Sequence, residues 1–278
     1  MRKRIDGARV LITGAGGGIG ASLALELVAR GARSLVLVDV DEAALARVRA
    51  RIDGSSEAAT HVVDLTDGAA VAALIERVGE IDVLVNGAGI SVPGRFANVS
   101  LASIERTIDI NLVAAVRLTR LVLPKMRRGG CLVNIASASG LMAPGGLAAY
   151  AASKFGLVGF SEALRVELAE RDIAVMVVCP AFVRTGILAK SAAQLGDDDQ
   201  RRAESAAGAR QAEMMEAWGI DAEALARKIV TGIENGERVI VTSLWAKALI
   251  ALRRVSPRVA EAVLRFGWRR MVRQGLVE

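Results

Sequence analysis

Tyrosine occurs once, histidine once, cysteine twice and lysine six times in this chain, and aromatic residues make up only 3% of it. The two cysteines, Cys131 and Cys179, each lie in an apolar run that reads as a strand. Burial accounts for them better than pairing or metal ligation, which excludes a disulfide framework and fits a reducing cytoplasm. Long apolar runs are missing as well. No stretch approaches the roughly 18 apolar residues of a membrane span, since Lys247 interrupts even the segment 244–252. Met1-Arg2-Lys3-Arg4 is basic, but the apolar run behind it, Val10 to Ile12, is too short for a secretory core. The expected location is the cytoplasm. Internal repeats and extended low-complexity tracts are also lacking.

What is present is a 278-residue chain that is 53% hydrophobic, enough for one large core. The formal charge of +6 would suggest nucleic acid if it were spread over a surface, but it is concentrated. From Arg238 onward nine basic residues face two acidic ones, Glu261 and Glu278, so the body is near neutral and the tail is basic. No nucleic-acid partner is expected. The organisation expected is one catalytic domain over 1–242 and a basic helical extension over 243–278.

Apolar runs recur at 8–13, 34–39, 61–63, 83–86, 131–137, 174–179 and 239–241. Their continuity, without strict alternation, suits strands covered on both faces. Segments with helical spacing lie between them, at 19–29, 42–52, 69–78, 104–126, 151–170 and 222–233. The alternation predicts an α/β fold, a doubly wound seven-stranded parallel sheet of Rossmann type with helices on both faces. A long insertion at about 186–220, carrying Asp197, Asp198 and Asp199, is expected to cover a ligand crevice at the carboxyl edge of the sheet.

Thr13-Gly14-Ala15-Gly16-Gly17-Gly18-Ile19-Gly20 ends the first strand and opens a helix. Such a turn lets backbone N–H groups at a helix amino end approach a pyrophosphate, although a sharp strand-to-helix turn alone would use the same glycines. Asp39 closes the second strand, where a carboxylate can accept hydrogen bonds from both adenosine ribose hydroxyls and repel a 2′-phosphate. NAD is therefore the expected cofactor, in preference to NADP. The competing role for Asp39 is capping of the next helix, which Asp41 can also perform.

Tyr150 is the sole tyrosine, and Lys154 follows it by one helical turn. An ammonium beside a phenol favours the phenolate, so the pair can exchange protons near neutral pH. A structural tyrosine and a solvated lysine are the alternative. Ser137 ends the fifth strand near Tyr150 and can hydrogen-bond a substrate oxygen, with Ser139 as competitor and a loop cap as the plain alternative. Asn111 interrupts a helical run, either to hold a water near Lys154 or as a tolerated polar residue.

Together, T-G-x-x-x-G-x-G at 13–20, Asp64 after the third strand, N-x-A-G at Asn86 to Gly89, Asn111, Ser137, Tyr150-x-x-x-Lys154 and Pro180 to Thr185 resemble the short-chain dehydrogenase/reductase family. The resemblance covers about residues 8–242. It implies that Tyr150 is the proton donor or acceptor, that Lys154 binds the nicotinamide ribose and lowers the tyrosine pKa, that Ser137 orients the substrate and that Asn111 holds a relay water. It further implies a cofactor site made of Gly14, Gly16, Gly18, Ile19, Gly20, Asp39, Asp64, Leu65, Asn86, Ala88, Gly89, Tyr150, Lys154, Pro180, Val183 and Thr185. No metal is implied. Gly87 and Ala181 depart from the family's usual Asn and Gly.

The expected reaction is hydride transfer between NAD(H) and a secondary alcohol or ketone. A dinucleotide-binding regulator or scaffold of the same fold is the rival reading. Leu188, Met214, Met215 and Trp218, with Met142 and Phe182, suggest an apolar small-molecule substrate. A homodimer or homotetramer is implied by the resemblance. In the tail, Arg258, Arg265 and Arg269 share one helical face and Val259, Val263 and Phe266 another. That pattern suits either packing on the body or a neighbouring subunit, or peripheral contact with anionic lipid.

Overall fold

The computed structural model describes residues 5–52, 54, 56–192, 194–195 and 206–276. The acidic run Asp197 to Asp199 and the side chain of Met214 lie outside the described residues. Strands β1 (Arg9–Thr13), β2 (Ser34–Asp39), β3 (Glu57–Val62), β4 (Ile81–Asn86), β5 (Met126–Ile135), β6 (Ala174–Cys179) and β9 (Val239–Val241) form one parallel sheet, ordered β3-β2-β1-β4-β5-β6-β9. Two further strands, β7 (Val183–Arg184) and β8 (Ile220–Asp221), pair with each other in parallel.

Side chains alternate across each central strand, and both faces are apolar because both are covered. Val10 and Ile12 of β1 join one core with helices α1 (Gly18–Ala29), α2 (Glu42–Arg51) and α9 (Ala222–Asn235). Leu11, between them, faces the opposite core with α3 (Gly68–Arg77) and α5 (Ala114–Val122). Helix α6 (Ala148–Glu167) covers β5 and β6 through Leu157 and Val158. Strand order reverses between β1 and β4, and the carboxyl ends parting there leave the crevice in which a doubly wound sheet binds ligands.

The expected helix over 104–126 is divided. Helix α4 (Leu101–Ile108) runs into a π turn over Asp109–Val113, then into α5 and a short 3-10 turn over Leu123–Lys125. Pro124 lacks the N–H needed to continue the helix, and Met126, expected to be helical, begins β5 instead. Strand β3 starts four residues before its expected beginning at His61; it is an edge strand whose residues are mostly exposed, so no apolar run marks it.

Helices α7 (Ile187–Ala192) and α8 (Ala206–Trp218) lie between β7 and β8. The tail forms α10 (Leu244–Val255) and α11 (Pro257–Arg273), broken at Pro257 as expected. It packs on the body through defined contacts. Ala246 is fully buried beside Ala138 and Met142, Arg253 donates to the Leu141 carbonyl at 2.6 Å, and Trp268 lies against Gly145 and Gly146. The guanidinium of Arg95 covers the Trp268 ring at 5.5 Å. Val259, Val263 and Phe266 remain exposed, so the face applied to the body is the one carrying Ala260 and Trp268. Among the described residues no helix is long and apolar enough to cross a membrane.

Candidate active site

The glycine turn is built by close approach. Gly14 has φ +68°, and a Cβ there would lie 2.8 Å from the Ala88 nitrogen and the Gly87 carbonyl, on the loop leaving β4. Gly18 has φ +55° and would bring a Cβ 2.9 Å from the Thr185 side chain. The Thr13 hydroxyl accepts from the Gly87 and Ala88 nitrogens at 3.1 and 3.3 Å, joining the ends of β1 and β4 beneath the crevice. A side chain at Gly14 or Gly18 would need both a left-handed backbone and space that is already filled.

Around this turn lies a cavity of about 630 Å³, within the range of small-molecule sites. Of the expected cofactor residues, Gly14, Gly16, Gly18, Ile19, Gly20, Asp39, Asp64, Leu65, Ala88, Gly89 and Thr185 line it. Asn86 lies beneath rather than in it, donating to Thr119 Oγ1 at 3.0 Å and Asn134 Oδ1 at 2.8 Å, so it braces β4 against β5. Pro180 and Val183 are buried and do not line the cavity, Val183 packing in the core beneath.

Asp39 Oδ2 accepts from Gly16 N at 2.8 Å, while Oδ1 accepts from Val40 N. Asp41, not Asp39, caps α2, taking the Ala44 N–H at 2.9 Å. The Asp39 carboxylate is thereby kept on the cavity wall. Asp64 accepts from Thr66 N and Oγ1 and pairs with Arg106 at 3.1 Å. Burial acts to raise its pKa, but these bonds outweigh it and hold the carboxyl below the ordinary range.

At the other end, a Cβ on Gly89 would stand 3.1 Å from Asn111 Oδ1 and 3.3 Å from Lys154 Nζ, so the cavity wall passes directly into the expected catalytic group. Lys154 is 4% exposed. Its ammonium donates to the Ile135 carbonyl at 2.9 Å and lies 5.6 Å from the centre of the Tyr150 ring. Both residues project from α6, which begins at Ala148 and so places Tyr150 in its first turn.

Burial lowers the Lys154 pKa to about 8. Burial also raises that of the Tyr150 phenol, and the Ser137 hydroxyl pulling downward does not offset it. The expected lowering of the phenol by its neighbour is therefore not the net effect in the free protein, because burial of the phenol itself dominates. The nearby Cys179 thiol is pushed up to about 12 by burial and stays neutral.

Ser137 stands two residues beyond the end of β5 rather than on it; its Oγ accepts from Ser139 N at 3.1 Å and caps a short 3-10 turn. Asn111 occupies the π turn, where its amide clasps Ile90 by accepting from N at 2.8 Å and donating to O at 2.9 Å, and reaches Ser153 Oγ at 3.1 Å. A π turn in this position aims the amide at the crevice instead of along a helix face. Of the expected substrate-side residues, Met142 is buried, Phe182 packs on Trp245 with ring centroids 6.3 Å apart, Leu188 and Met215 are half-buried, and Trp218 is 78% exposed. Trp218 therefore lines no enclosed pocket. The cavity also has walls that the sequence did not announce, namely Ala44, Val63, Ile187, Lys190 and Gln194.

The sequence profile of the short chain dehydrogenase family matches residues 8–196. The chain belongs to the short-chain dehydrogenase/reductase family. It is 38% identical over 191 residues to the ketoacyl reductase HetN of Nostoc, covering 66% of each chain. A short chain dehydrogenase/reductase from Burkholderia phymatum in complex with NAD superposes with TM-score 0.82 at 29% identity, over 92% of this chain and 96% of that one. A short-chain dehydrogenase from Sphingobium yanoikuyae in complex with NADPH superposes with TM-score 0.69 at 29% identity, over 93% and 95%. The family assignment makes the chain an oxidoreductase fold for a nicotinamide dinucleotide and a small-molecule substrate.

Proposed function

We propose that this protein transfers a hydride between NAD(H) and the carbinol or carbonyl carbon of an apolar secondary alcohol or ketone. The observation that carries the reading is the placement of a desolvated Lys154 ammonium between Tyr150 and Gly89, where the catalytic group adjoins the cavity. The cavity suits a dinucleotide because its glycine turn leaves room that side chains would fill, and because α1 offers a bare amino end. Bound nicotinamide supplies or accepts the hydride.

In this reading the Tyr150 hydroxyl gives or takes the proton at the substrate oxygen, and a raised phenol pKa suits the donating role in carbonyl reduction. Ser137, buried beside it, hydrogen-bonds the same oxygen as charge develops. Lys154 holds the nicotinamide ribose and favours the phenolate as Tyr150 loses its proton. Asn111 positions the Ile90 loop and holds a relay water toward Lys154. The Asp39 carboxylate on the cavity wall supports NAD over NADP by repelling a 2′-phosphate.

Residues 1–242 form the catalytic domain and 186–220 the cover of the substrate side. The tail contacts favour attachment of 243–278 to the body. Exposed Leu101, Val113, Val116 and Val166 lie on the α4–α5 and α6 faces, which supports assembly there as a homodimer or homotetramer in the cytoplasm. The test is a screen of NAD- and NADP-linked turnover across secondary alcohols and ketones of graded size. Turnover rising with apolar size is expected; tight nucleotide binding without turnover on any of them would favour the regulator reading.

A further inference from the structure

The amino end of α1 carries no side-chain cap and no acidic residue in its first turn, so its partial positive charge has no counterpart within the helix. Facing it is a second positive group. A Cβ built on Gly17, the residue that opens α1, would fall on the Lys190 ammonium, with Lys190 Cε 3.2 Å away. Lys190 belongs to α7, the helix after β7, and lines the same cavity. A lysine at a helix amino end is unfavourable by itself, because like partial charges oppose one another. An anion lodged between the ammonium and the bare N–H groups would reverse that sign.

We propose that Lys190 binds the pyrophosphate of the dinucleotide, as the opposing half of a clamp whose other half is the glycine turn. This rests on the dinucleotide reading given above. Three contacts of one segment converge on the crevice: Thr185 faces Gly18, Lys190 faces Gly17, and Ser191 Oγ accepts from Ser91 N at 2.9 Å. The last of these, through the buried Ser191, fastens α7 beside the turn, so the exposed Lys190 side chain starts from a docked helix and not from a free loop. The alternative anion, a 2′-phosphate, belongs beside Gly16, where the Asp39 carboxylate already accepts the backbone N–H. Lysine here acts as a point charge, so the interaction depends on charge more than on geometry.

Fluorescence titrations of wild type, K190Q and K190R with NADH and with NADPH, at low and high salt, test the assignment. K190Q is expected to weaken NADH binding about tenfold and to flatten its salt dependence, since one phosphate-directed cation is lost. K190R should recover most of the affinity and the salt slope, which a merely structural lysine would not do. Equal NADH affinity in wild type and K190Q would overturn the proposal, as would a loss confined to NADPH, which would assign the ammonium to a 2′-phosphate. Failure of the wild type to bind either nucleotide would instead end the dinucleotide reading itself, a result separable from both.

Discussion

The Lys154 ammonium is fastened to the Ile135 carbonyl at 2.9 Å, a bond that ties the first turns of α6 to the end of β5. Because Tyr150 lies one turn earlier on the same helix, this bond also fixes how far the phenol stands from the sheet edge. Replacing Tyr150 by Phe removes only the hydroxyl. Turnover should fall by about 10²–10⁴-fold, the usual contribution of a positioned acid or base, while NADH titration gives nearly wild-type affinity. Undiminished turnover would remove Tyr150 from the mechanism.

Lys154 gives two pH signatures. In the free protein its ammonium loses a proton near pH 8, so kcat/KM for carbonyl reduction should decline as pH rises through that value. For stability the sign is opposite. The folded state releases the proton at about 8 and the unfolded chain near 10.5, so between those values the unfolded state binds more protons and the contribution of this group to stability rises with pH. Urea denaturation of wild type and Lys154→Met across that window should show wild type gaining stability relative to the variant, because the buried Cys179 and Tyr150 act on both proteins alike; parallel curves would mean the ammonium is not desolvated.

Asp39 predicts cofactor choice. Asp39→Ser should weaken NADH binding and strengthen NADPH binding, shifting their ratio by about tenfold or more, as expected when a charged acceptor is removed from a ribose diol. Paired titrations measure it, and an unchanged ratio would show that preference is set elsewhere.

Much of the fold is legible because β1, β2, β4 and β6 are covered on both faces and so read as unbroken apolar runs. The beginnings of β3 and β5 are not. Glu57 to Thr60 form an edge, and Arg127, Arg128 and Gly129 extend β5 past a register shift opposite Ile81 and Val83, so neither stretch is apolar. In the site, residues at strand ends, such as Asp39 and Thr13, are announced by the strand before them. Lys190 and Trp268 are not, since each reaches its target only after a distant segment folds back. The opposing effects of burial and of the Ser137 hydroxyl on Tyr150 are also hidden, because spacing reports adjacency but not desolvation.

Trp268 offers the clearest test of the tail. Its ring fills the space above Gly145 and Gly146, where added Cβ atoms would approach ring carbons at 2.7 and 3.0 Å, in the loop that leads to Tyr150. Trp268→Ala should destabilise the protein by less than the about 3–5 kcal/mol of a fully buried ring, because this one is half-buried. It should also raise the substrate KM more than the NADH Kd. Unaltered thermal unfolding and unaltered substrate KM would show that the tail is dispensable to the body.

The small parallel pair β7–β8 joins Val183 to Ile220, and Arg184 reinforces it by bonding Asp221 Oδ1 at 2.6 Å and the Gly219 carbonyl at 2.7 Å. The excursion that departs after β7 is thus stitched shut at its base before the chain returns to the sheet. Once its two ends are pinned, lengthening such a segment is cheap, about 0.6 kcal/mol per doubling for a flexible loop. On the proposed reading, an exchange of this cassette that keeps Thr185 and Lys190 would refit the substrate side and leave the contacts at the glycine turn as they were.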